Sequence, residues 1–269
     1  MRVTHLVLML GVLVAPVSSA RAQWTVQPGG WFMSHGFNTG RFPDRFSGVE
    51  GATRNELSKV DWGMYFIYGL IDGVSVGFGQ GYARLEQQLG DQTLTSTGFG
   101  STGIFVMKRI AQGKAGILSI QPRVDLPLLF DTEQRPALGP VEPDAEVRLL
   151  YGNGFGIAGT RGFLSASAGF APIRLGNDEI RYDLTVGIDA HLRLLVMGQA
   201  FNVAALAEGG GIAYSATKLG ASAVFRVSKA VGIQGGYYAG VSGKNTARER
   251  TISVGIWITH DPGPEPREE

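Results

Sequence analysis

The sequence contains no cysteine, which excludes disulfides, thiolate metal sites, a cysteine nucleophile and a lipid-anchored cysteine. Charge is scarce, at 17% of residues against about 25% in typical soluble domains. A formal net charge of +1 offers no basic surface for nucleic acid. Long hydrophobic runs are missing from the body of the chain. The richest, Trp62 to Ile71, is ten residues between Asp61 and Asp72, well short of the roughly 20 that a spanning helix needs. There are 4 histidines, and no two have metal-ligand spacing.

What is plentiful is glycine, 40 of 269 residues, roughly twice the usual share. Hydrophobic residues still make up 44%, enough apolar surface to rule out a disordered chain.

Residues 1–22 have the pattern of a secretory signal peptide. Arg2 supplies the positive start, Leu6 to Val14 the apolar run, Pro16 a break, and Ala20-Arg21-Ala22 the small-x-small cleavage site. Cleavage removes Arg2 and Arg21, so the mature chain starts at Gln23 with 22 basic side chains against 23 acidic ones. Export follows from this pattern.

The dominant signal downstream is alternation with period two, the mark of strands with two different faces. Val60, Trp62, Met64, Phe66 and Tyr68 oppose Lys59, Asp61, Gly63, Tyr65 and Ile67. Ile180, Tyr182, Leu184, Val186 and Ile188 oppose Arg181, Asp183, Thr185, Gly187 and Asp189. Ala145, Val147, Leu149 and Tyr151 oppose Asp144, Glu146 and Arg148, and Ile252, Val254, Ile256 and Ile258 oppose Thr251, Ser253 and Gly255. Extending the reading gives twelve strands near 30–39, 57–69, 74–86, 98–110, 115–126, 144–152, 162–173, 179–189, 192–203, 215–227, 231–241 and 250–260. Those near 74–86, 98–110 and 192–203 alternate poorly. Pro122 lacks a ladder donor and predicts a bulge or local break.

Gaps after odd-numbered strands average about 11.5 residues and those after even-numbered ones about 4.4. Long loops on one side and tight turns on the other are features of outer-membrane barrels, whose short turns are periplasmic. The expectation is an all-β, antiparallel transmembrane barrel of twelve strands over residues 23–260, with 261–269 a periplasmic tail. The apolar rows face lipid, the polar and glycine-rich rows face the lumen, and Tyr68, Tyr151, Tyr182 and Tyr237 fall near the interfacial girdles. A soluble sandwich with the same rows turned inward is the competing architecture.

Four stretches carry a family likeness: Trp24-Thr-Val-Gln-Pro-Gly-Gly, Tyr68-Gly-Leu-Ile-Asp-Gly-Val-Ser-Val-Gly, Asp144-Ala-Glu-Val-Arg-Leu-Leu-Tyr-Gly and Gly243-Lys-Asn-Thr. On these the chain resembles the XagA-like outer-membrane barrels and, more distantly, the barrels named for the meta pathway of phenol degradation. The resemblance implies an outer-membrane location and a role in uptake of hydrophobic compounds or in support of polysaccharide export. It supplies no catalytic residues and no cofactor.

Two motifs invite enzymatic readings. Gly154-Phe-Gly156-Ile-Ala-Gly159 spells G-x-G-x-x-G, but a strand rather than a helix follows, so a glycine-rich turn is expected instead of a dinucleotide site. Ser34-His35 invites comparison with outer-membrane phospholipases, yet neighbours on a strand point to opposite faces. His35 shares its row with Trp31, Met33 and Phe37. His191 falls in a two-residue turn and His260 at the last strand's end.

The charged inner row is the functional candidate. Lys59, Asp61, Arg123, Asp125, Asp144, Glu146, Arg148, Arg181, Asp183 and Lys218 all fall in the outer half of the barrel, five basic and five acidic. Charges within a membrane face an interior and mark a site by default; a lattice of ion pairs bracing the strands is the other account. The reading is a channel or transporter passing small hydrophobic or amphipathic solutes through a charge-balanced constriction, not an enzyme and without cofactor or metal. A closed structural barrel of a polysaccharide-export system is the alternative, and a lipid hydrolase the remote one. Expected partners are outer-membrane lipid, the barrel-assembly machinery, and a small solute or export components.

Overall fold

The computed structural model describes residues 25–44, 46, 56–129, 131–139, 142–157, 159–172, 178–206 and 213–262. The expected signal peptide at 1–22 and all but the first two residues of the expected tail lie outside the described residues. Thirteen strands follow one another: β1 (Trp31–Phe42), β2 (Leu57–Ile71), β3 (Val74–Leu89), β4 (Gln92–Phe99), β5 (Thr102–Gly113), β6 (Gly116–Leu126), β7 (Asp144–Ile157), β8 (Thr160–Ala171), β9 (Glu179–His191), β10 (Leu194–Ala205), β11 (Ser215–Arg226), β12 (Val231–Lys244) and β13 (Arg250–His260). Each barrel strand pairs antiparallel with its neighbour, and β1 pairs with β13, from Trp31 opposite His260 to Arg41 opposite Arg250. Closure leaves the ring without an open edge, the condition for a sheet in lipid.

Twelve strands form the ring, as the alternation predicts; β4 is the thirteenth. The lower part of β3, Val74 to Gly79, pairs with β5, while its upper part, Tyr82 to Leu89, pairs with β4. β4 therefore continues the line of β5 beyond the ring, forming a hairpin with β3 around Gly90-Asp91. Residues 87–97, expected as a loop, are mostly strand. One face of this hairpin meets water, where Thr93, Thr95 and Thr97 stand at positions that alternation would have needed apolar, while the other buries Ala83 and Ser96. A two-residue Gly-Asp connection is itself a hairpin signal, and Gly90 has the positive φ (60°) such turns use.

The outward rows are those expected. Ile180, Tyr182, Leu184 and Ile188 are 41–50% exposed, whereas a soluble sandwich would bury them. The stretch Gly154–Gly159 is strand as far as Ile157, so the turn is narrower than expected, with Gly159 at φ 80°. His191 ends β9 rather than sitting in the turn. Pro122 does interrupt a ladder on one side only. It pairs with Val147 of β7, but the β5–β6 pairing skips from Phe105–Arg123 to Lys108–Ile120.

Candidate functional site in the barrel lumen

β6, β7 and β9 aim alternate residues inward, and their outer halves carry charge. The Arg123 guanidinium forks onto Asp125, with Nε to Oδ2 at 2.8 Å and Nη2 to Oδ1 at 2.6 Å. Arg148 donates from Nε to Glu146 Oε1 at 2.7 Å and from Nη1 to Asp183 Oδ2 at 2.8 Å. Arg181 donates from Nε to Glu179 Oε2 at 2.7 Å and from Nη1 to Glu146 Oε2 at 3.2 Å. Glu146 thus joins two arginines while only 3% exposed. Between β7 and β9, β8 supplies small residues: Ser167 Oγ donates to Asp183 Oδ2 at 3.3 Å, and Gly169 leaves room for the network. A Cβ at 169 would stand 2.6 Å from Glu146 Oε1.

The remaining charges form separate pairs. Lys59 Nζ lies 3.1 Å from Asp61 Oδ1, and Asn38 Nδ2 donates to Asp61 Oδ2 at 2.8 Å. Lys218 Nζ lies 3.1 Å from Glu249 Oε2, whose other oxygen accepts from Thr251 Oγ1 at 2.7 Å. Asp144 faces Asp125 in register and joins none of these pairs. The ten residues therefore resolve into one network on β7 and β9, the Arg123–Asp125 pair on β6, the two pairs of Lys59 and Lys218, and Asp144. Sequence reasoning missed Glu179 and Glu249. Glu179 was legible as the next residue of the inner row above Arg181; Glu249 precedes its strand and gave no periodic signal. With both included the belt holds five basic and seven acidic groups, so its balance tilts acidic.

The periplasmic half of the lumen is different. Beside the polar and glycine positions expected, such as Ser75, Gly77 and Gly187, its inward row carries two apolar clusters. Ile67, Phe105, Met107 and Leu150 form one buried cluster, packed by Val26, Phe32 and Tyr65. Leu195, Met197 and Val224 form another with Phe163 and Trp257. Tyr65 stacks on Phe105 with ring centroids 5.3 Å apart, and Trp257 meets Phe32 edge-on at 5.6 Å. Between the clusters lies a cavity of ≈ 700 Å³ that reaches the periplasmic rim at Arg161, Arg226 and Lys229.

The segment before β1 enters this half. Gln27 to Gly30 form a turn closed by the Gly30 N–H donating to Gln27 O at 3.0 Å, with Pro28 second and Gly29 at φ 75° third, the residue order of a type II turn. The turn carries Val26 into the lumen, where its N–H donates to Ser75 Oγ at 2.9 Å. Gly69 lies under this strap, exchanging backbone hydrogen bonds with Gly29 and Gly30.

Ser34 and His35 point to opposite faces. His35 stacks outside on Trp62, with ring centroids 5.6 Å apart, which leaves no nucleophile–base pair. Among the described residues no group of three or more His, Asp or Glu is placed to hold a metal ion.

A closed twelve-stranded ring, an apolar belt and a partly charged interior define the class of transmembrane β-barrels. Comparison with solved structures agrees. The chain superimposes on an outer-membrane channel from Pseudomonas putida F1 with a TM-score of 0.72 and 10% identity, covering 91% of this chain and 100% of that one. It also superimposes on the β-domain of a Bordetella autotransporter with a TM-score of 0.52 and 11% identity, covering 87% of this chain and 100% of that one. At such identities the likeness is one of fold. No protein-family model and no curated relative matches the sequence.

Proposed function

We propose that the protein is an outer-membrane channel or transporter, of the XagA-like kind that its sequence resembles, for small hydrophobic or amphipathic solutes. The observation that carries this reading is the two-tier lumen: a paired-charge belt above an apolar cavity of ≈ 700 Å³. That volume is within the roughly 300–1,000 Å³ of small-molecule sites. A purely hydrophilic pore has no use for a lumen lined by Phe163, Leu195, Val224 and Trp257. The mechanism is passive. Solutes are screened at the charged belt, where Arg148 and Arg181 are held by carboxylates, and then rest against apolar walls before leaving at the periplasmic rim.

Single-channel conductance of the refolded mature protein in a planar bilayer tests the reading. Discrete steps are expected. Silence despite verified insertion would favour the second reading, a closed structural barrel associated with envelope polysaccharide export, which is supported by the packing of Val26 against Ile67 and Phe105 across one side of the lumen.

A further inference from the structure

Resting on that reading, we infer that the periplasmic cavity binds a single-chain anionic amphiphile, a carboxylate on an apolar tail, with its head at the periplasmic rim. The walls of the cavity are apolar: Phe163, Leu195 and Trp257 from one cluster, Phe32 and Ile67 from the other. Its mouth is not. Arg161, Arg226 and Lys229 line it together with Asp189 as the sole carboxylate, an excess of two positive charges. The Asp189 carboxylate is taken by Arg226, whose Nη2 donates to Oδ1 at 2.5 Å. Arg161 reaches the same carboxylate only at 3.7 Å and is 57% exposed at its side chain. Lys229, in the turn between β11 and β12, enters no ion pair among the described residues.

This arrangement contrasts with the outer belt, where every arginine has a close carboxylate. At the rim cationic donors outnumber acceptors and stand at the end of an apolar chamber. Charge complementarity favours an anion there, and planar guanidinium suits a carboxylate. An apolar tail removed from water in the chamber supplies the non-directional part of the affinity. A cationic amphiphile would meet two uncompensated like charges, and a neutral one would leave them unused.

The test uses the full mature barrel in nanodiscs of zwitterionic lipid and reads quenching of Trp257 by 11-bromoundecanoate, 11-bromoundecanol and 11-bromoundecyl-trimethylammonium. Trp257→Phe gives the background from Trp24 and from lipid-facing Trp31 and Trp62. Saturable, Trp257-dependent quenching is expected for the carboxylate, and Arg161→Glu with Lys229→Glu should weaken it about tenfold, the effect of two partly exposed ion pairs. Unlabelled dodecanoate should compete. Equal quenching by all three probes, unchanged in the charge variant, would overturn the head-group inference and leave the apolar cavity and the channel reading standing. Competition by phosphatidylglycerol in the nanodisc but not by dodecanoate would overturn a soluble ligand in favour of bilayer lipid. No Trp257-dependent quenching by any probe in a barrel that conducts would overturn the inference alone; the same result in a silent barrel would remove the channel reading with it.

Discussion

The guanidinium of Arg123 lies flat over Gly103, so close that a Cβ at 103 would stand 2.1 Å from Nη2 and 2.7 Å from Asp125 Oδ1. The same device recurs around the lumen: Phe105 covers Gly77, Phe163 covers Gly187, and Tyr238 covers Gly220. Inward glycines are recesses that let a large side chain from the next strand lie along the wall. This accounts for much of the glycine that composition shows without explaining.

Gly103→Ala should therefore destabilise the barrel by about 1–3 kcal/mol, the usual cost of overpacking. Gly36→Ala is the control. It faces the same lumen but meets nothing within 4 Å, so its effect should stay within about 0.5 kcal/mol. Urea unfolding from lipid vesicles measures both, and equal losses would contradict the recess account.

The charge network makes a second prediction. Replacing Arg148 and Arg181 with Glu should shift the reversal potential toward cations, because the belt already tilts acidic. Glu146→Gln, which frees two arginines from one buried carboxylate, should shift it the other way. Removing one member of a buried pair costs about 3–5 kcal/mol, so insertion is verified first by heat-modifiable migration. Unmoved potentials in inserted barrels would show that these charges brace the wall without facing the permeation path.

How much of this was legible depended on whether the two faces of a strand differ chemically. On β9 the lumen row is Arg181, Asp183 and Thr185 while the lipid row is Ile180, Tyr182 and Leu184, so alternation revealed both. On β5 and β10 it could not. Ile104 and Val106 face lipid at 48% and 43% exposure, but Phe105 and Met107 between them are buried in the lumen at 2% and 4%. Val196 likewise sits between buried Leu195 and Met197. Poor alternation near 98–110 and 192–203 was thus the trace of the apolar tier. The strap was invisible for another reason. Nothing in Trp24-Thr-Val-Gln-Pro-Gly-Gly shows that its turn points into a barrel; that depends on Gly69 and Ser75, which lie far along the chain.

Row assignment is tested by adjacent residues on β9. Leu184 is 43% exposed on the outer face, and Leu184→Arg should cost roughly 2–4 kcal/mol if it lies near mid-bilayer. Thr185→Arg places the same charge in the lumen and should leave folding largely intact. Folding titrations in lipid vesicles distinguish the two, and comparable damage would contradict the assigned faces.

The strap gives the last prediction. A Cβ at Gly69 would fall 2.0 Å from Gln27 O and 2.6 Å from Val26 O. Both are backbone atoms, so no rotamer change relieves the clash. Gly69→Ala must push the Gln27–Gly30 turn off the wall, breaking its exchange of hydrogen bonds with Gly29 and Gly30 and withdrawing Val26 from the Ile67–Phe105 cluster. The ring stays closed, because residue 69 is outside the β1–β2 ladder, which runs from Trp31–Tyr68 to Phe42–Leu57, and pairs only with Ser75 near the end of the β2–β3 ladder. Single-channel steps should therefore be larger than those of the parent chain, in a barrel whose closure is verified by heat-modifiable migration. Ser75→Ala, which removes only the acceptor for the Val26 N–H, should act in the same direction and more weakly. Steps of unchanged size in both would mean that Val26 lies beside the path and that the apolar clusters on the wall set its width.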